Sequence, residues 1–320
     1  NYPQGVLTQT LRAAAAHQPG ILSDIGLGTF VDPRQQGGKL NEVTQEDLIK
    51  LVEIDNKEYL YYKAIAPDIA FIRATTCDSE GYASFEDEVM YLDALVLAQA
   101  VHNNGGIVMM QVQKMVKKAT LHPKSVRIPG YLVDIVVVDP NQTQLYGGAP
   151  VNRFISGDFT LDDSTQLTLP LNQRKLVARR ALFEMRKGAV GNVGVGIADG
   201  IGLVAREEGC ADDFVLTVET GPVGGITSQG VAFGANVNTR AILDMTSQFD
   251  FYHGGGLDVC YLSFAEVDQH GNVGVHKFNG KIMGTGGFID ISATSRKIVF
   301  CGTLTAAGLK TEITDGQLRI

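Results

Sequence analysis

The side chain best placed to do chemistry is Glu219. It ends the apolar run Phe214-Val-Leu-Thr-Val218 and leads into Thr220-Gly-Pro-Val-Gly-Gly225. A carboxylate just past a buried strand, at the mouth of a glycine loop, sits where α/β sheets bind ligands. Glycines let a substrate approach the backbone closely, and Pro222 stiffens the turn. Position alone leaves a plain alternative open: a solvated loop glutamate, or a neighbour of a helix N-cap. A second signal is Val193-Gly-Val-Gly-Ile-Ala-Asp-Gly200. Its Gly-x-Gly-x-x-x-Gly spacing suits either a pyrophosphate over a helix N-terminus or close packing of strand on helix. The third glycine comes one residue late for a dinucleotide fingerprint, and no acidic residue follows where a ribose contact belongs. Two more clusters, Gly254-Gly-Gly-Leu-Asp258 and Met283-Gly-Thr-Gly-Gly-Phe288, suit a long thin ligand laid along backbone amides, or tight turns. His253, His270 and His276 lie near glycine turns, but there is no H-x-x-x-H or H-E-x-x-H. With no Gly-x-Ser-x-Gly elbow either, metal and serine-hydrolase chemistry are poor readings, and no metal site is expected.

These residues need elements to hold them. Arg174 to Arg186 has helical spacing, Val190 to Ile197 reads as a glycine-rich strand, and Ile201 to Glu208 continues as a helix. An internal repeat is also present. Asp68 to Gly81 aligns without a gap with Asp258 to Gly271, at an offset of 190 residues, each copy a buried strand followed by Asp-x-x-Gly. A strand end bearing glycine precedes each copy, Ile21 to Gly28 in one and Phe214 to Gly225 in the other. Further strands are expected at Gly106–Val112, Val133–Val138 and Lys297–Cys301, and helices at Leu7–Ala16 and Asp87–Val101. The fold class is therefore α/β, with two related open, mostly parallel domains and a site in the cleft between them. The boundary falls in the polar stretch Ser156 to Thr168, giving domains 1–165 and 166–320. The first lacks the helix–strand block found in the second, so it is expected to be truncated at its N-terminus.

The 320 residues suffice for two domains with cores of their own. Hydrophobic residues make up 44% and charged residues 19%, a globular balance. The net charge of -8 and the lack of a basic run argue against nucleic acid and against an anionic membrane surface. No apolar run is long enough to span a bilayer. Cys77, Cys210, Cys260 and Cys301 form no C-x-x-C pair. They are expected to be reduced, and with no signal-peptide pattern the expected location is the cytoplasm.

Taken in order, the motifs resemble class I (family I) coenzyme A transferases, above all the single-chain bacterial acetate or short-chain acyl-CoA transferases. The resemblance rests on Pro3-Gln4-Gly5, the helix Arg174 to Arg186, Gly194-Val-Gly-Ile197, Glu219-Thr-Gly221, Gly255-Gly-Leu-Asp258 and Gly284-Thr-Gly-Gly287. Together they cover nearly the whole chain, and the ordered set is far more specific than any one of its members. It implies a ping-pong transfer of coenzyme A between acyl-CoA and short-chain carboxylates, through a glutamyl-CoA thioester on Glu219. Coenzyme A is then substrate and covalent intermediate, with no resident cofactor. The same resemblance gives the amides of Val195 and Gly196 and the side chain of Asn272 to one oxyanion, and the amide of Gly308 to the other. Gln4 faces the glutamate across the domain interface, Gly286 and Gly287 line the coenzyme A channel, and the full-length chain is a homotetramer. Val223, Ile226 and Phe288 are candidate walls of the acyl pocket. Two departures stand out. The family's glycine-rich element of the first half belongs before Pro3. The lysine often found before the glycine equated with Gly308 is here Ala307, with Lys310 after it. Rival readings on a similar scaffold are a sugar-phosphate isomerase and a non-catalytic protein that binds coenzyme A esters or phosphates.

Overall fold

The structure, a computed structural model, describes residues 1–146, 148, 150–162, 165, 167–278, 280–303 and 311–319. Gly308, Ala307 and Lys310 lie outside the described residues.

Two mixed sheets carry the architecture. In the C-terminal half, strands Val190–Val193, Val215–Thr217, Val259–Ser263 and Ile298–Cys301 run parallel, and Pro222–Val223 and Ala241–Ile242 extend the sheet antiparallel at one edge. The inner strand Val259-Cys-Tyr-Leu has no polar face because both of its faces are covered. Val259 and Tyr261 pack under Ala178 and Leu182 of helix Gln173–Leu182 and Ile201 and Val204 of helix Ile201–Glu207. Cys260 and Leu262 pack under Phe249 and Tyr252 of helix Met245–His253 and Ile291 of helix Phe288–Thr294.

The N-terminal half has a five-stranded sheet in which Ile69–Asp78, Ile107–Val116 and Ile135–Val138 are parallel. Ala70, Ile72, Val108 and Met110 meet Ala98 and Val101 of helix Ala94–Asn103. The opposite face presents Phe71, 76% exposed, with Ile69, Ile107, Ile135 and Val137 about it.

The repeat is visible in the hydrogen bonding. Thr76 pairs with Ser84 and Cys77 with Ala83, and 190 residues on Glu266 pairs with Gly274 and Val267 with Val273. Asp78 accepts from the amides of Glu80 and Tyr82, just as Asp268 accepts from those of His270 and Asn272. Ala70 lies opposite Val108, and Cys260 opposite Ile298. Equal sequence spacing thus gives equal register along strand, turn and crossover.

One expected correspondence fails. Phe214 to Gly225 does supply a strand of the main sheet, but Gly20–Ser23 belongs to a separate antiparallel sheet with Ile49–Ile54 and Lys57–Lys63. The physical reason lies in Lys57–Lys63. Leu60 and Tyr62 point to one side and reach a small core with Val6, Ile25 and Ile289, while the other side carries exposed Lys57 and Lys63 and half-buried Tyr59 and Tyr61.

Helix Gln4–Ala15 joins the halves. Leu11 and Ala14 pack on Ala100 of the first half, and Arg12 pairs with Asp250 of the second at 3.0 Å. Gly5 sits so close to Phe249 that an added Cβ would lie 2.6 Å from the ring.

Candidate active site

Glu219 follows strand Val215–Thr217 and stands at the tip of a hairpin rather than at a strand-to-helix loop. Gly221 N–H donates to Val218 C=O at 3.0 Å, and Val218 N–H to Pro222 C=O at 3.1 Å, which closes the turn. Gly221 has φ +123°, and a Cβ there would lie 2.1 Å from Leu243 O, so this position demands glycine. The Glu-x-Gly spacing is thus a steric requirement of the turn that presents the glutamate.

The carboxylate is half-buried, and burial pushes its pKa above the ordinary glutamate value; the nearby Asp290 carboxylate adds to the rise. The residue's own backbone amide opposes this, as does one side-chain donor, Asn192 Nδ2 to Glu219 Oε2 at 3.3 Å. The orientation of that amide follows from the atoms behind it. The Gly191 carbonyl can only accept, so Thr217 Oγ1 donates to it at 3.0 Å. Thr217 must then accept from the Tyr252 hydroxyl, 2.8 Å away. Tyr252, its proton committed, accepts from Asn192 Nδ2 at 3.2 Å. Burial holds the Tyr252 pKa far above its ordinary value, so the phenol keeps its proton. The chain of donors therefore runs one way, with the NH₂ of Asn192 facing Glu219.

Asn192, Thr217 and Tyr252 escaped the sequence reading. Asn192 and Thr217 are opposite one another on adjacent parallel strands. Each is a polar residue inside a buried apolar run, and buried polar groups need partners; that was the available signal.

Behind the site, Asp290 is fully buried. Its Oδ1 accepts from Val6 N–H at 3.2 Å in the first turn of helix Gln4–Ala15 and faces His253 Nε2 at 2.9 Å. Gln9 Nε2 lies 3.1 Å from His253 Nδ1 and donates to Asp250 at 2.9 Å. His253 is thus a tie between the halves.

The remaining candidates divide into separate groups. Gln4 N–H donates to Gly286 C=O at 3.1 Å, while the Gln4 amide donates to Met245 Sδ at 3.2 Å. Gly287 lies against Phe249 and Ile291. Val195 is exposed, its carbonyl accepting from Ser263 at 2.8 Å. Gly196 has φ +107°, and its carbonyl accepts from Arg174 at 2.7 Å. The amide hydrogens of Val195 and Gly196 have no partner among the described residues. The Asn272 side chain donates to Asp268 at 2.7 Å, within the repeated turn. Ile226 is buried over helix Ile201–Glu207, Val223 pairs with Ala241, and Phe288 stacks on Phe300.

A cavity of about 810 Å³ is lined by Gly28, Gln36, Asn272, His276, Thr285 and Phe288 among others. Glu219 is not in its wall, although Thr285 directly precedes Gly286, the neighbour of Gln4. His276 forms part of this cavity by stacking on Phe30, with ring centroids 4.7 Å apart.

Comparison with known proteins gives the same direction. Residues 1–139 match the family model described as Coenzyme A transferase. The chain is 94% identical over 320 residues to acetate CoA-transferase YdiF of Escherichia coli K12, covering all of this chain and 60% of that protein. It is 43% identical over 325 residues to caffeate CoA-transferase of Acetobacterium woodii, covering 99% of this chain and 62% of that one. The crystal structure of acyl-CoA transferase (YdiF) apoenzyme from Escherichia coli O157:H7 superposes with a TM-score of 0.90 at 91% identity, covering 100% and 60% of the two chains. A thioester complex of that enzyme with CoA gives 0.90 at 90% identity, with the same coverage. The chain thus spans about three fifths of the length of the relatives it matches. The family model over residues 1–139, the identity along the whole of this chain and the fold agree, and the chain belongs to the coenzyme A transferase family.

Proposed function

We propose that this chain is the catalytic region of an enzyme that moves coenzyme A between a short-chain acyl-CoA and a carboxylic acid such as acetate. The observation that carries the reading is Glu219 itself, a desolvated carboxylate presented on a glycine-locked hairpin, with the Asn192 side chain and its own backbone amide donating to it. A carboxylate with a raised pKa is more basic, hence a better nucleophile once ionised. Its identity as a carboxylate matters too, because its anhydride and its thioester can both be exchanged by another carboxylate.

One oxygen of Glu219 attacks the thioester carbonyl carbon. The C–S bond breaks, leaving a mixed anhydride and coenzyme A thiolate. The thiolate then attacks Cδ of Glu219, the bond from Cδ to the acyl oxygen breaks, and the first acid leaves. A second acid reverses the sequence. Each addition places charge on a carbonyl oxygen, which requires donors already in place. The unpartnered amides of Val195 and Gly196, with Asn272, are proposed for the acyl oxygen, and Gly308 for the second oxyanion. Gln4 is proposed to face the substrate, with Gly286 and Gly287 along the coenzyme A channel; the bond from Gln4 to Gly286 supports their shared position. Cytoplasmic location and a homotetramer of the full-length protein belong to the same reading. Sedimentation of the full-length protein checks the second. Among the described residues no helix is long and apolar enough to cross a membrane.

Glu219→Ala is expected to abolish transfer. Glu219→Asp is expected to lose most activity, because the carboxylate retreats by one methylene from a site sensitive to such displacement. Steady-state exchange between acetyl-CoA and a second acid, in the full-length enzyme, measures both. Ordinary turnover by either variant would remove Glu219 from the mechanism.

A further inference from the structure

We propose that Asn192 is a catalytic donor to the glutamyl carbonyl, and that Tyr252 is the positioning residue that keeps it aimed. This rests on the transferase reading and adds a role to residues that reading does not use. The geometry is specific. Asn192 Nδ2 has two hydrogens and two acceptors, Glu219 Oε2 at 3.3 Å and the Tyr252 hydroxyl at 3.2 Å. The chain from Gly191 C=O through Thr217 and Tyr252 leaves Tyr252 able to receive from Asn192 but not to give to it. A flipped amide would set its oxygen against a carboxylate and against a hydroxyl whose proton is already used. Asn192 Oδ1 is buried with no partner among the described residues, so the arrangement is kept despite leaving one acceptor unsatisfied. Asn192 is itself fully buried on a strand between two others, the setting in which a side chain holds one rotamer.

The donor's place in the reaction follows from which oxygen it holds. With Oε2 bonded to Asn192, the other oxygen, Oε1, is taken as the nucleophile. Once Oε1 has attacked, Oε2 becomes the carbonyl oxygen of the anhydride. When thiolate adds to Cδ, its electron pair forms the new C–S bond and the π pair moves onto Oε2. The charge then returns from Oε2 as the bond from Cδ to Oε1 breaks and the acid departs with Oε1. The reverse addition of an incoming carboxylate loads Oε2 in the same way and expels thiolate. Asn192 therefore donates weakly to a carboxylate, and more strongly to an alkoxide at the same position. That difference is what lowers a barrier.

The test uses full-length protein labelled with ¹³C at the glutamate δ carbon. Reaction with acetyl-CoA generates the thioester, and the infrared difference spectrum reads its carbonyl stretch. In Asn192→Ala the stretch is expected to rise in frequency, as a hydrogen bond to the carbonyl is lost. Release of coenzyme A from the preformed thioester by acetate is expected to slow by about 10²-fold, the effect typical of one oxyanion donor. KM for acetyl-CoA should change little. Tyr252→Phe keeps the packing and removes only the hydroxyl; it should raise the stretch partway and slow the chase by about 10-fold, part of the same effect. If Asn192→Ala does not fold, Tyr252→Phe decides alone by the same two readouts. An unmoved stretch, even with a slower chase, would show a merely structural role and overturn the proposal. Absence of any labelled thioester in the wild-type protein would instead defeat the transferase reading beneath it.

Discussion

At the scale of single residues, the nucleophile proposed at Glu219 comes with a cost to stability. Its pKa is raised by burial and by Asp290, so the folded state binds a proton more tightly than the unfolded chain does. Between the ordinary glutamate value and the raised one, ν for the folded state exceeds ν for the unfolded state. Stability therefore falls as pH rises through that window, and remains lower by a constant amount above it. Glu219→Gln removes the buried charge and is expected to raise the melting temperature at pH 7 while abolishing transfer; calorimetry with the exchange assay checks both. A lower melting temperature would show that ionised Glu219 stabilises the fold. The sequence exposed Glu219 and Gly221 because the apolar run and the turn glycine leave clear traces. Asn192, Thr217, Tyr252 and Asp290 left none that could be tied to Glu219, since their roles arise from strands and helices that meet only in three dimensions. His253, which the sequence shows only as a histidine near a glycine turn, acts through Asp290 and Gln9, which lie on two other helices. Burial lifts the thiols of Cys77, Cys260 and Cys301 to about 11, in keeping with inert core cysteines.

Elements were most legible where a local rule sets the geometry. The Asp-x-x-Gly repeat is the clearest case. Asp78 and Asp268 each accept two backbone amides of the turn that follows, while Gly81 and Gly271 take positive φ, so the identical residues are those the turn requires. Gly20–Ser23 was misassigned because four residues of mixed character fit a main-sheet strand and a small antiparallel one equally well; pairing with Lys57–Lys63 decides it. The two halves also differ in how their sheets are covered. Phe71 is exposed, whereas Tyr261, its counterpart in the second copy, is fully buried under helices Gln173–Leu182 and Ile201–Glu207. Such an apolar face favours association. Phe71→Lys in this 320-residue chain is expected to reduce binding of a hydrophobic dye and self-association by light scattering, while stability changes by less than about 0.5 kcal/mol, as is usual for an exposed site. Unchanged dye binding would place the sticky surface elsewhere.

For the molecule as a whole, the two-sheet α/β plan was legible because alternating strand and helix patterns survive in sequence. The joint between the halves was not. Helix Gln4–Ala15 gives Leu11 and Ala14 to one side and Gly5, Gln9 and Arg12 to the other, a division of labour that a helical period cannot assign. Its consequence is functional. The backbone bond from Val6 to Asp290 fixes the helix start, which carries Gln4, to the element behind Glu219. The covalent intermediate proposed on Glu219 would lie beside this joint. That intermediate is the central claim, and mass spectrometry tests it most directly. The full-length enzyme would be incubated briefly with acetyl-CoA, without an acceptor acid, then digested. Coenzyme A, or its borohydride-reduced trace, is predicted on the peptide containing Glu219. An unmodified peptide, from protein shown to be folded and to bind coenzyme A, would contradict the account.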